Sequence, residues 1–104
     1  MLIEINTDRN IEGRERMEVY FTEALQTALK RFEEKITRLE VHLGDENGEK
    51  FSTDDKRCMI EARVAGHTPI AVTHHADTIE KAVHGATEKI KKVLDTTFAK
   101  MRTH

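Results

Sequence analysis

From Ile79 to Met101 the apolar and small residues return every three or four positions. Ile79, Ala82, Val83, Ala86, Ile90, Val93, Leu94, Thr97 and Met101 fall on one stripe, the period of an amphipathic helix buried along one side. Just before it, Ile70-Ala71-Val72-Thr73 predicts a short apolar strand that runs through His74-His75-Ala76 into the helix. Asp77, with Glu80 three residues on, predicts a capping box over the first turn, where backbone donors lack helical partners. A second helical pattern covers about Arg14 to Glu34. Met17, Phe21, Ala24, Leu25, Ala28, Leu29 and Phe32 form its apolar face, and Arg16, Glu23, Gln26, Lys30 and Glu34 face water, with Val19 out of step on the wet side.

Elsewhere the period is two. Leu2 to Asn6 predicts a first strand with Ile3 and Ile5 inward, and Leu39, Val41 and Leu43 alternate with Glu40 and His42 in a second. In a third, Cys58, Ile60, Ala62 and Val64 point one way and Met59, Glu61 and Arg63 the other. The short Ala65-Gly66-His67-Thr68 connection makes a hairpin of the third and fourth strands. Thr7 to Asn10 is turn chemistry, Gly13 precedes the first helix, Gly44 to Asp55 with Asn47-Gly48 reads as a loop, and Arg102 to His104 reads as a frayed end. The order β-α-β-β-β-α predicts an α+β two-layer sandwich, a four-stranded sheet with two helices on one face, as a single domain over residues 1–104. The other sheet face would carry Glu40, His42, Met59, Glu61, Arg63, Ala71 and Thr73.

Charge changes the picture more than composition does. Charged residues make up 35% of the chain with a formal net charge of −2, so any attraction to nucleic acid must come from local segregation. At about 100° per residue, Lys81, Lys89, Lys92 and Lys100 share one flank of the second helix. Glu80, His84, Lys91 and Asp95 take the other flank, with Glu88 between. Side by side with the first helix, this row would join Arg16, Lys30 and Arg31 in a surface for phosphates, each neutralised phosphate adding salt-dependent affinity. The competing reading is a solvated helix face with incidental pairs such as Glu88 with Lys92. The acidic loop (Asp45, Glu46, Glu49, Asp54, Asp55) should turn away from phosphate. With no Trp, one Tyr and four Phe, no aromatic platform for a run of bases is expected.

The run Ile70 to Thr73, then Ala76-Asp77-Thr78-Ile79-Glu80-Lys81-Ala82-Val83-His84-Gly85 and Glu88-Lys89-Ile90-Lys91-Lys92-Val93-Leu94, resembles the ribosome hibernation-promoting factor family. Its members are also described as ribosome-associated inhibitors or sigma-factor modulation proteins. Ala28-Leu29-Lys30-Arg31-Phe32, Lys35-Ile36 and Leu39-x-Val41-x-Leu43 are similar to that family's first-helix end and second strand, and Lys89 and Lys92 fall on two of its basic positions. The resemblance covers almost the whole chain and takes the short, single-domain form. It implies a protein that binds the small ribosomal subunit in the channel of messenger and transfer RNA, its helical cations facing ribosomal RNA. Such a protein silences ribosomes under stress or in stationary phase. The chain departs from the pattern after Lys92, where Asp95-Thr96-Thr97-Phe98-Ala99 stands in place of further basic residues. That departure keeps a different reading open: a diverged protein-interaction or duplex-RNA-binding module on the same fold.

Other chemistry finds no foothold. His74 and His75 would point to opposite strand faces, and His67 and His84 lack metal-ligand spacing, so no metal is expected. Cys58 beside Ile60 reads as a small core residue, not a nucleophile, and Asp54-Asp55 lies where nothing would raise a carboxyl pKa. No phosphate-cradling glycine loop or nucleophile elbow occurs. The expectation is a non-enzyme with no cofactor, no small-molecule substrate and no membrane segment. A lone cysteine points to a reducing, cytoplasmic setting.

Overall fold

The computed structural model describes residues 1–8, 14–45 and 54–102. The elements run β1 (Leu2–Thr7), α1 (Arg14–Ala28), a 3-10 turn (Lys30–Phe32), β2 (Ile36–Asp45), β3 (Lys56–Val64), β4 (Ile70–Ala76) and α2 (Ile79–Arg102). This is the expected β-α-β-β-β-α order. The sheet order is β1-β2-β3-β4, with β1 parallel to β2 and both other pairs antiparallel. A parallel neighbour needs a crossover rather than a hairpin, and α1 is that crossover. Gly66, at φ 75°, turns the chain between β3 and β4, a backbone conformation that glycine adopts without a Cβ clash.

Alternation decides which residues meet the helices. Leu39, Val41 and Leu43 of β2 and Cys58, Ile60, Ala62 and Val64 of β3 are all buried. They join Ile70 and Ala76 of β4, and Phe21, Leu25, Leu29 and Phe32 from the α1 segment. Ile3 and Ile5 pack on the same core, partly buried, as edge-strand residues. Helix α2 lies over β3 and β4, and α1 over β1. Removing one of the fully buried leucines, such as Leu39 or Leu94, would cost about 2–5 kcal/mol through lost transfer energy and the cavity left behind.

Several boundaries differ from the sequence reading. Helix α1 stops at Ala28 and the chain tightens into i→i+3 bonds, Phe32 N–H to Leu29 O at 2.9 Å and Glu33 N–H to Lys30 O at 3.1 Å. A spacing of three between Leu29 and Phe32 suits either helix type, so the apolar pattern could not separate them. The N-cap of α2 is Thr78, not Asp77: the Lys81 backbone N–H donates to Thr78 Oγ1 at 3.1 Å. Phe98 is buried while Val93 and Met101 are exposed. Past the sheet, the buried row continues as Ile90, Leu94 and Phe98, and Phe98 meets Phe32 at 5.6 Å between ring centroids. Gly44 and Asp45 belong to β2 and Arg102 to α2, where a loop and a frayed end were expected, and β3 begins at Lys56, ahead of Cys58. The predicted turn residues Arg9, Asn10 and Gly13, the Asn47-Gly48 turn, and Thr103-His104 lie outside the described residues.

The sheet's other face is open, and its charges satisfy one another. Arg38 pairs with Glu4 and, at 3.7 Å, with Glu40. Arg63 reaches Glu40 at 3.3 Å and Glu61 at 3.4 Å. The register sets like charges opposite one another, Arg38 across from Arg63 and Glu40 across from Glu4 and Glu61, so the ion pairs run diagonally and along each strand. Each is weak in water, but together they leave the Arg38 and Arg63 guanidinium groups engaged. At the far end Lys56 bridges Asp45 at 3.2 Å and Asp55 at 2.9 Å. Those hydrogen bonds hold its ammonium pKa above the usual lysine value.

Candidate nucleic-acid interface

The lysine row predicted on α2 stands on the solvent side of the helical layer, all four members exposed. The acids of α2 do not neutralise Lys89 or Lys92. Glu88 pairs with Lys91 at 3.8 Å instead of with Lys92, and Asp95 pairs with Arg31 at 2.6 Å. Lys81 is held by Asp77, 3.1 Å away and just ahead of the helix. Lys89 donates to the Thr73 carbonyl on the outer edge of β4 at 2.8 Å, so its charge stays uncompensated. Lys92 has no acidic partner among the described residues. Lys100 stands near the β3–β4 turn, beside a hollow shared with His67.

The three cations of the first helical segment are not brought together. Arg16 flanks the start of α2, lining a hollow with Met17, Tyr20, Thr78, Ile79 and Glu80. Arg31 lies 4.5 Å over the Phe32 ring and closes on Asp95, linking the end of α1 to α2. Lys30 stands away from that seam, near Met1, Gln26, Thr27 and Glu33. Arg16 therefore stands at the start of α2 on its α1-facing side, Arg31 is engaged, and Lys30 is set apart. Lys35, not among the candidate phosphate-binding cations, places its ammonium 4.8 Å from the Phe98 ring centroid. Only the burial of Phe98 reveals that contact.

Between the Arg16 end and the Arg31–Asp95 bridge, small residues leave the helices apart. Ala24 and Ala28 of α1 face Val83, Gly85 and Thr87 of α2 across a groove of about 490 Å³. Ala24, predicted for the core, is exposed for this reason. Gly85 is tightly backed, since a Cβ there would run into the His74 ring. Tyr20 stands at the groove's mouth, 60% exposed, with its ring edge-to-face against buried Phe21 at 5.1 Å and 71°.

The remaining reactive groups are inert in this setting. Cys58 is fully buried, and burial pushes its thiol up to about 12; a thiol so desolvated is a poor nucleophile. His74 is half-buried on the helix-facing side of β4 and His75 exposed on the other. No cluster of three metal-ligating side chains occurs among the described residues. None of the described helices is long and apolar enough to cross a membrane.

The profile of one protein family, described as sigma 54 modulation protein / S30EA ribosomal protein, matches residues 4–102. The chain belongs to this family. The match runs from within β1 to the end of α2, so membership rests on nearly the whole α+β unit. Solved structures similar to this family member include the two that follow. The N-terminal domain of Thermus thermophilus Protein Y superposes with a TM-score of 0.73 at 16% identity, covering 93% of this chain and 99% of that one. A ribosomal subunit interface protein from Coxiella burnetii gives 0.68 at 15% identity, covering 95% and 99%. At such identities the likeness is one of fold. Among curated proteins, none matches the chain by sequence.

Proposed function

We propose that this family member associates with the ribosome through its helical layer and inhibits translation by occupancy. Lys81, Lys89, Lys92 and Lys100, with Arg16 beside them, would meet phosphates of ribosomal RNA. The protein would fill the messenger and transfer RNA channel of the small subunit under stress or in stationary phase. Such a mode needs no catalytic step and no cofactor. One observation carries the reading: Glu88 and Asp95 of α2 pair with Lys91 and Arg31, so Lys89 and Lys92 keep an uncompensated positive charge on a chain whose net charge is negative. Family membership, and the likeness of fold to a ribosomal subunit interface protein, support the choice of partner.

Phosphate binding of this kind reads shape and charge, not base sequence. The test is co-sedimentation with small subunits from stationary-phase lysate across a salt series. The wild type should travel with the subunit and dissociate steeply as salt rises, and the Lys89→Glu/Lys92→Glu double variant should stay at the top of the gradient. A double variant that sediments like the wild type would remove this surface from the interface.

A further inference from the structure

The groove between α1 and α2 is more than a packing gap. Two hollows of about 490 and 460 Å³ meet at the Tyr20–Phe21 pair and form one cleft along the helix seam. Both lie within the range of about 300–1,000 Å³ common for small-molecule sites. The floor is apolar, with Met17, Ala24 and Ile79 beside Val83, while the rim carries Arg16, Glu80 and His84 together with Lys81. Tyrosine packed edge-on against a buried phenylalanine is held in place, and its other ring surface is open to solvent. A flat, amphipathic ring with an attached anion matches that layout. The ring stacks on Tyr20 over the apolar floor, and the anion meets Arg16 on one side or, in exchange for the exposed Asp77 carboxylate, Lys81 on the other. Glu80, a carboxylate among these cations, accepts hydrogen bonds, as suits an exocyclic amino group of a base.

We infer that this cleft binds a nucleotide, one unpaired base stacking on Tyr20 with its phosphate held by Arg16 or Lys81. The inference deepens the ribosomal reading and rests on it for the source of the nucleotide, a single-stranded or bulged RNA residue beside the phosphates on the lysine row. One tyrosine serves one base, so the scarcity of aromatic residues is no obstacle. Stacking tolerates any base, which keeps the contact independent of sequence.

The test uses the full chain and a short single-stranded RNA carrying 2-aminopurine, whose fluorescence reports stacking. Folding of each variant is checked by thermal melting. The wild type should quench the probe on binding. Tyr20→Ala, at an exposed position, and Ala24→Leu, which fills the groove, should each weaken binding about tenfold, and Tyr20→Phe should retain it. Wild-type binding by both Tyr20→Ala and Ala24→Leu would overturn the inference, as would a probe that binds without quenching. Adenosine monophosphate is the second arm: saturable binding lost in the same variants would identify a free nucleotide as an occupant of the same cleft. The two readings fail separately. Loss of ribosome binding in the Lys89→Glu/Lys92→Glu variant with Tyr20→Ala unaffected leaves the surface and removes the cleft. Wild-type sedimentation of the double variant with loss of quenching in Tyr20→Ala does the reverse.

Discussion

The Lys89 ammonium lies 2.8 Å from the Thr73 carbonyl oxygen, so a helix side chain caps the outer rim of an edge strand. Edge strands present unpaired backbone groups that invite another chain, and a lysine over the rim is one protection against that. Lys89 therefore has a structural contact that Lys92 lacks. Lys89→Ala should lower stability by about 0.5–1.5 kcal/mol, and Lys92→Ala should leave it within about 0.5 kcal/mol of the wild type. On ribosomal RNA both should weaken binding, each reducing the slope of log K against log salt by about 1. Urea melts and salt-dependent binding of the two single variants check both statements.

Arg31 and Asp95 join the two helical segments at 2.6 Å, with about half of each side chain exposed. A pair so exposed contributes about 0–1 kcal/mol, and its larger effect is on charge. Asp95→Asn should free the Arg31 guanidinium for phosphate and remove a repulsive carboxylate. RNA affinity should rise severalfold and the salt dependence should steepen, while the melting temperature stays nearly constant. Filter binding across a salt series, with Asp95→Asn beside wild type, reads this directly.

Gly85 and His74 share one site, the helix backbone pressed against the strand's imidazole. Gly85→Ala should cost about 1–3 kcal/mol, because the added methyl overpacks a rigid contact despite alanine's better helix propensity. In a His74→Ala background the same substitution should become neutral or stabilising. A double-mutant cycle by chemical denaturation tests the coupling.

Cys58 carries a pH dependence whose sign is fixed by burial. In the folded chain its thiol stays protonated up to about 12, against an ordinary 9.0. The stability this difference represents is fully present below pH 9 and is lost as pH rises through the folded value. Relative to Cys58→Ala, the wild type should lose about 1.4 kcal/mol per pH unit above about pH 9. In the native state at neutral pH the thiol should resist a thiol reagent that labels the urea-unfolded chain at once. Rapid native labelling would contradict the burial.

The sequence made the architecture legible because period two and period 3.6 are written in separate stretches. Ile60 and Ala62 against Glu61 and Arg63, or Ala82, Val83, Ala86 and Ile90 against Lys81 and Lys89, allow no other assignment. It also carried the separation of lysines from acids on α2, since angular position follows from spacing alone. Local choices between equal candidates were not legible. Asp77 and Thr78 are both good N-cap types, and only the hydrogen bond to Lys81 selects Thr78. Leu29 and Phe32 suit two helix types, and Phe98 counts as core only because the 3-10 turn brings Phe32 against it.

The candidate site divides in the same way. That Lys81, Lys89, Lys92 and Lys100 would be exposed was readable from one helix, but which of them keep their charge was not. Ion pairs such as Arg31–Asp95 join residues 64 apart in the chain, and no local pattern records them. The helix groove was equally hidden, since alanine at positions 24 and 28 reads as core until the facing helix is known to be too far away to cover it. Periodicity is a property of a single segment and is set by covalent geometry. Pairing, clefts and the final charge of a surface are properties of two segments at once, and only their packing decides them.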